Sequence, residues 1–129
     1  MNGRYLLDTN IVIAIFGQDA SVLTNLKDAS EVFVPSIVIG ELYYGAYKSM
    51  RVADNILRTE EFVAKNIILG CDTATSQIYG RMKSALRAKG RPLPENDIWI
   101  AAIAEQHALT VATRDAHFSE IDGLATEAW

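Results

Sequence analysis

The sequence is poor in the residues that form disulfides and zinc clusters, with one cysteine and two histidines in 129 residues. A single thiol, Cys71, excludes an internal disulfide and a cysteine-rich zinc centre. We expect Cys71 to be a small buried group at the end of a strand. No apolar run reaches the length of a membrane span and the N-terminus lacks a signal peptide's pattern, so a cytoplasmic protein without a membrane segment is expected.

Repeats, low-complexity tracts and linker-like segments are also absent. The chain is 50% hydrophobic, which is enough for a core of its own, and 129 residues are too few for several domains. We therefore expect one domain that spans residues 1–129.

Short β-branched or leucine-rich segments alternate with segments of helical periodicity. Strands are predicted at residues 5–7, 31–34, 67–69 and 111–113, with a fifth at 124–126. Helices are predicted at residues 11–16, 22–29 with Ser21 as cap, 36–47 with Ser36 as cap, 52–65, from Thr73 or Thr75 to residue 89, and from Asn96 onward. Strands that alternate with helices pair in parallel through right-handed crossovers. The predicted fold is therefore α/β, a mostly parallel sheet of four to five strands flanked by helices.

Four carboxylates adjoin the most apolar segments of the chain. Asp8 follows YLL, Glu41 lies within PSIVIGELYYG, Asp97 precedes IWIAAIA, and Asp115 closely follows LTVAT. A buried carboxylate costs free energy unless it is paired or binds a cation, and none of these apolar stretches contains a basic residue. Because open parallel sheets bind ligands at the carboxyl ends of their strands, the sequence predicts one shared divalent-ion site.

Each acid alone also fits a local structural role. Asp8 fits a turn before a helix that Asn10 caps, and Asp97 fits the first turn of a helix, where the helix dipole favours a negative charge. Asp115 fits the turn after a strand, and Glu41 fits a half-exposed helix position. The shared site is favoured because a single purpose explains why both Asp8 and Asp115 follow strands.

The predicted ligands are all oxygen donors. Oxygen ligands suit Mg²⁺ or Mn²⁺, whereas a zinc or iron site would bring histidine or cysteine at ligand spacing. His117 is interpreted as a loop residue packed near Phe118, with substrate contact as the alternative, and His107 is interpreted as structural.

In their order and spacing, these motifs resemble the PIN-domain ribonucleases, most closely the VapC-type toxins of type II toxin–antitoxin pairs. The matching segments are residues 7–10 (LDTN), 36–45 with Glu41, 96–102 (NDIWIAA) and 113–118 (TRDAHF), and the resemblance covers nearly the whole chain. It implies that the four carboxylates hold one or two Mg²⁺ or Mn²⁺ ions and cut RNA, with Asn10 and Thr113 in support. The family also accepts asparagine at the place of Asp115.

The resemblance implies partners as well. Proteins of this type form homodimers and are silenced by an antitoxin whose C-terminal segment enters the acidic groove, often with an arginine. The neighbours of Glu41 that are expected to meet such a segment are Tyr43, Tyr44 and Tyr47, which could equally lie in the core.

A basic stripe offsets the overall charge of −4. No acid lies between Thr73 and Pro94, where the cations are Arg81, Lys83, Arg87, Lys89 and Arg91, and Arg114 adjoins Asp115. These six residues are the predicted contacts to the RNA backbone. The alternative is a solvated helix face that serves solubility.

Three other functions are open on the sequence alone. A phosphohydrolase of the haloacid dehalogenase type needs a second aspartate two residues after Asp8, where this chain has Asn10. A receiver-like signalling domain needs paired acids on one early loop and a lysine after a late strand, where this chain has Arg114. A non-catalytic RNA-binding module is disfavoured because all four acids are present.

Overall fold

Five parallel strands form one sheet in the computed structural model, which describes residues 3–129. The strands are β1 (Arg4–Leu7), β2 (Glu31–Pro35), β3 (Ile67–Leu69), β4 (Thr110–Ala112) and β5 (Thr126–Glu127). Their order across the sheet is β3-β2-β1-β4-β5, which confirms the predicted α/β fold. The chain leaves the central strand β1 toward β2 and later returns to its other side with β4, so the order reverses between β1 and β4. Such reversals open a crevice at the carboxyl ends of the strands.

Six α-helices flank the sheet. They are α1 (Thr9–Phe16), α2 (Ala20–Asp28), α3 (Ser36–Tyr47), α4 (Val52–Lys65), α5 (Thr73–Ala88) and α6 (Glu95–Gln106), and a 3₁₀ turn covers Ala116–Glu120. Within residues 3–129, none of these helices combines the length and apolar character that a membrane crossing needs.

Helix α6 is the most buried helix of the fold. Its residues Ile98 and 100–104 are almost completely inaccessible to solvent, and it packs on α5 while touching α3 and β4. Three of these residues are alanines, whose small side chains let the neighbouring elements approach closely. Because α6 is apolar on nearly all sides, neighbouring elements pack against it from several directions. This packing fixes the position of the polar residues in its first turn.

Helix α5 ends in a hydrogen-bonded turn that depends on glycine. Gly90 has φ +69°, its N–H donates to the carbonyl of Arg87 at 3.1 Å, and the N–H of Arg91 donates to the carbonyl of Leu86 at 2.9 Å. This is the Schellman pattern, which needs a left-handed residue after the cap. It confirms that the helix stops at Gly90 and turns the chain toward α6.

The predicted N-caps were wrong. Asp8, not Asn10, caps α1 by accepting a hydrogen bond from the Thr9 N–H at 2.8 Å. Asp19, not Ser21, caps α2 through the Val22 N–H at 3.1 Å. Ser36 is the first residue of α3 and makes no capping bond. Several Ser, Asn and Asp residues stood near each start, and the sequence did not say which would take the extended cap conformation.

Two predictions of burial were also wrong. Cys71 is exposed because β3 already ends at Leu69 and the cysteine falls in the connection to α5. The helical periodicity of residues 52–65 predicts a buried Leu57, but that side chain is 56% exposed. Thr59 of the same helix is buried instead, and its hydroxyl donates to the Asn55 carbonyl at 3.0 Å.

Candidate metal centre

The register of the two central strands brings Asp8 beside Thr113. Leu7 pairs with Ala112, so the residues that follow each strand lie next to each other in the crevice. The Thr113 hydroxyl donates to Asp8 Oδ2 at 2.7 Å, and the Asp8 N–H donates to the carbonyl of Ala112 at 3.0 Å. Asp8 is only 5% exposed, and this burial raises the pKa of its carboxyl although the Thr113 hydrogen bond opposes the shift.

Thr113 and Asn10 link the ends of β1 and β4 through hydrogen bonds. The Thr113 hydroxyl also accepts from the Asp115 N–H at 2.9 Å, which fixes the backbone at the third acid. Asn10 donates through Nδ2 to Asp8 Oδ2 at 3.2 Å and accepts from the Arg114 N–H at 3.2 Å. Every donor that these bonds bring to Asp8 is neutral, so its negative charge is solvated but not compensated.

Asp97 enters the same crevice from the first turn of α6. Burial is the main cause that raises the pKa of its carboxyl to about 6, followed by the negative charges of Asp8, Asp115 and Glu41. Each of the other three predicted ligands thus acts on Asp97. The four acids, distant in sequence, converge in space.

The tightest part of the cluster contains a residue that the sequence alone did not single out as a ligand. One ligand atom each from Asp97, Asp115 and His117 lie within 4.8 Å of one another. His117 Nδ1 is 3.1 Å from Asp115 Oδ1, and the His117 side chain is exposed, whereas Phe118 beside it is buried in the core. The only signal in the sequence was proximity, because His117 comes two residues after Asp115, and its N–H donates back to the Asp115 carboxylate at 2.9 Å.

Glu41 stands slightly apart from this group. It lies on α3, is partly exposed, and lines a cavity of about 230 Å³ between α1, α3 and α4. The acidic cluster therefore opens into a groove whose other walls are largely apolar, with Ile13, Leu42 and Ala46 among them.

The donor set fits a hard divalent cation. Carboxylates held this close repel one another. Arg114, next to Asp115 in the chain, does not relieve them, because its side chain binds Asp19 at 3.0 Å and the Trp129 carbonyl at 2.8 Å. A bound cation would offset the repulsion and the burial together. Oxygen-rich sites of this kind suit Mg²⁺ or Mn²⁺.

The cations predicted to contact RNA are mostly engaged in ion pairs. Arg81 pairs with Glu105, Lys83 with Glu95, Lys89 with Asp122, Arg91 with Glu120 and Arg114 with Asp19. Arg87 makes no ion pair within residues 3–129. The positive surface is thus smaller than the sequence indicated, since acids from α6 and from residues 120–122 fold back onto α5. Exposed pairs contribute only about 0–1 kcal/mol, so an incoming phosphate can replace the carboxylate partner.

Comparison with known proteins identifies the family of the chain. A family model for the PIN domain matches residues 5–124. A ribonuclease VapC2 of Haemophilus influenzae is 35% identical over 129 residues, with 98% of both chains covered. A tRNA(fMet)-specific endonuclease VapC of Shigella flexneri is 33% identical, again with 98% of both chains covered.

Solved structures show the same fold. The VapBC2 complex of Rickettsia felis, bound to a DNA fragment from the promoter, matches with a TM-score of 0.90 at 30% identity and covers 97% of this chain and 98% of that chain. The DNA-bound VapBC of Salmonella typhimurium matches with a TM-score of 0.90 at 30% identity, with 100% and 99% covered. These matches decide against a receiver-like or dehalogenase-like fold and confirm the resemblance found in the sequence. The chain belongs to the PIN domain family.

Proposed function

We propose that the protein is a Mg²⁺- or Mn²⁺-dependent endoribonuclease and the toxin of a toxin–antitoxin pair. The observation that carries the proposal is the convergence of Asp8, Glu41, Asp97 and Asp115 in one crevice, which leaves Asp97 with a pKa of about 6. The substrate class is supported by the names of the similar proteins, a VapC2 ribonuclease and a tRNA(fMet)-specific endonuclease VapC.

Asp8, Asp97 and Asp115 would hold the ion, and Glu41 would complete the site from α3. When bound, the ion supplies positive charge that activates a water and offsets the charge that develops on the phosphodiester. Thr113 keeps Asp8 and the Asp115 backbone at a fixed separation. The Asp8 carboxylate, as the cap of α1, cannot swing away without loss of its bond to the Thr9 N–H.

The basic stripe would bind the RNA backbone without reading its bases. Arg87 would meet phosphate directly, while Arg81, Lys83, Lys89 and Arg91 would exchange a carboxylate partner for a phosphate. Arg114 is the predicted RNA contact that is least available to a phosphate, because its side chain already binds both the Asp19 carboxylate and the Trp129 carbonyl.

The groove beside Glu41 is the proposed seat of an antitoxin segment. Its lining includes the apolar side chains of Ile13, Phe16 and Leu42 together with Glu41 of the acidic cluster. The same helices carry further exposed side chains, Tyr44 and Tyr47 on α3 and Leu57 on α4. A segment with an apolar face and a terminal basic side chain would match the apolar groove with the first and the acidic cluster with the second. Similar structures are complexes named VapBC. The homodimer is a further expectation, for which light scattering distinguishes 14.2 kDa from twice that mass.

The test is RNA cleavage by the metal-stripped protein. We expect cleavage after addition of Mg²⁺ or Mn²⁺, none in EDTA, and none from an Asp97→Asn variant purified in the same way, which controls for contaminating nucleases. Cleavage that proceeds equally in EDTA would refute metal dependence. Intact RNA under every metal condition would favour a non-catalytic binding module.

A further inference from the structure

His117 is the one member of the tight ligand group that is not a carboxylate. We infer that an imidazole nitrogen of His117 is a direct ligand of the ion, together with Asp97 and Asp115, and that the site therefore prefers Mn²⁺ to Mg²⁺. The inference rests on the proposed metal-dependent function and concerns which ion this chain selects.

The first argument is distance. Two atoms that each lie about 2.1 Å from one ion are at most about 4.2 Å apart. The ligand atoms of Asp97, Asp115 and His117 already lie within 4.8 Å of one another without an ion. Three ligand atoms spaced evenly around one ion lie about 3.6 Å or less from one another, so side-chain shifts of about 1 Å bring all three into coordination.

The second argument is that the His117 side chain has no role in packing the core. Its side chain is 61% exposed, and the neighbouring Phe118 supplies the apolar contact of this turn. Its backbone N–H donates to Asp115 Oδ1 at 2.9 Å, and its ring Nδ1 lies 3.1 Å from the same oxygen. The carboxylate therefore orients an imidazole that the core does not require.

The third argument is ligand chemistry. Mg²⁺ is a hard ion that takes oxygen ligands and keeps several waters. Imidazole is a softer donor that suits first-row transition metals. One nitrogen among the carboxylates therefore adds affinity for Mn²⁺ and little for Mg²⁺, whereas four carboxylates alone would not discriminate in this way.

The experiment is pulsed electron paramagnetic resonance of Mn²⁺ bound to the untagged, metal-stripped protein. The chain has two histidines, so a modulation from a coordinated imidazole nitrogen comes from His117 or His107. His107 caps the far end of α6, ten residues or about 15 Å along the helix from Asp97, and His107→Gln is the matched control. We expect the nitrogen modulation in wild type and His107→Gln, and its loss in His117→Gln.

Binding titrations complete the test. We expect His117→Gln to bind Mn²⁺ about tenfold more weakly and to change Mg²⁺ affinity by less than about twofold. Thermal melts of the metal-free variants check folding. Bound Mn²⁺ without the nitrogen modulation, or equal Mn²⁺ affinity in wild type and His117→Gln, overturns the inference and leaves the carboxylate centre standing. If Asp97→Asn binds Mn²⁺ as tightly as wild type, the proposed centre itself fails.

Discussion

Thr113 connects two of the candidate ligands through a single hydroxyl. That hydroxyl donates to the Asp8 carboxylate and accepts from the Asp115 N–H, and the residue is 5% exposed. Sequence alone placed Thr113 and Asn10 in the site only through resemblance to a family. The reason is that a hydroxyl after a strand has many uses, and the strand register that aims it at Asp8 appears only in the folded sheet.

The Thr113→Val variant should therefore lose both stability and metal affinity. Valine has the shape of threonine but leaves a buried carboxylate and a backbone N–H with one partner fewer. We expect the free energy of unfolding in urea to fall by about 2 kcal/mol. Thr126→Val, on the exposed strand β5, is the control and should change it by less than about 0.5 kcal/mol. Equal effects of the two substitutions would mean that the hydrogen bonds of the Thr113 hydroxyl do not stabilise the fold.

At the scale of the element, most of the fold was predictable. The bounds of α3, α4 and β3 agree with those predicted from the sequence, because hydrophobic periodicity marks all three and Pro35 and Gly70 bound α3 and β3 at one end each. The N-caps were not predictable, since competing Asp, Ser and Asn residues differ by little in free energy. The ion pairs that α6 and residues 120–122 make with α5 were also missed, because sequence spacing gives no information on how distant elements meet.

The end of α5 provides a matched pair of glycine substitutions. A Cβ atom would meet no atom within 4 Å at Gly80 or at Gly90, but Gly90 has φ +69° whereas Gly80 lies inside the helix. Gly90→Ala should lower the free energy of unfolding by about 1 kcal/mol, and Gly80→Ala should raise it by up to about 1 kcal/mol. Urea denaturation measures both. The same sign for both variants would refute the argument from backbone conformation.

The basic stripe on α5 and the following loop makes a prediction about RNA binding. Replacing Arg87, Lys89 and Arg91 together by glutamine should weaken binding and flatten its dependence on salt, while metal binding is kept. For single-stranded RNA the slope of log affinity against log salt falls by about 0.7 for each phosphate that the protein no longer neutralises. Lys27→Gln, an exposed lysine of α2, is the control for general charge. If the slope of the triple variant equals that of this control, the stripe serves solubility.

At the scale of the whole molecule, the four clustered acids lower the stability of the metal-free fold and in return form the candidate metal site. The fold brings α3, α6 and the ends of β1 and β4 together, and each element delivers a negative charge to the same crevice. The metal-free protein carries that repulsion as a cost to folding, and a bound ion removes it. Stability therefore reports on the site without any measurement of activity.

The Asp97→Asn variant tests this cost through its dependence on pH. The pKa of Asp97 in the folded protein is about 6, above the unfolded value of about 3.9. Stability from this group is therefore full below about pH 4 and is lost as the pH rises through about 6. Asparagine cannot ionise, so the variant escapes that loss. In EDTA we expect it to match wild type near pH 4 and to exceed it by about 1 kcal/mol near pH 7.5, a figure discounted for the partial exposure of the carboxyl.

Bound metal should reverse the order of stability of wild type and Asp97→Asn at pH 7.5. An ion that binds only the folded state raises the melting temperature of wild type by mass action, and it should raise that of Asp97→Asn much less. Thermal melts in EDTA and in Mn²⁺ at pH 4 and pH 7.5 measure both effects. Had Asp97 served only the dipole of α6, neutralisation would cost a few tenths of a kcal/mol at pH 7.5 and leave the metal response unchanged. That outcome would refute the hypothesis of a shared metal site, because the charges of Asp8, Glu41 and Asp115 would then not act on Asp97.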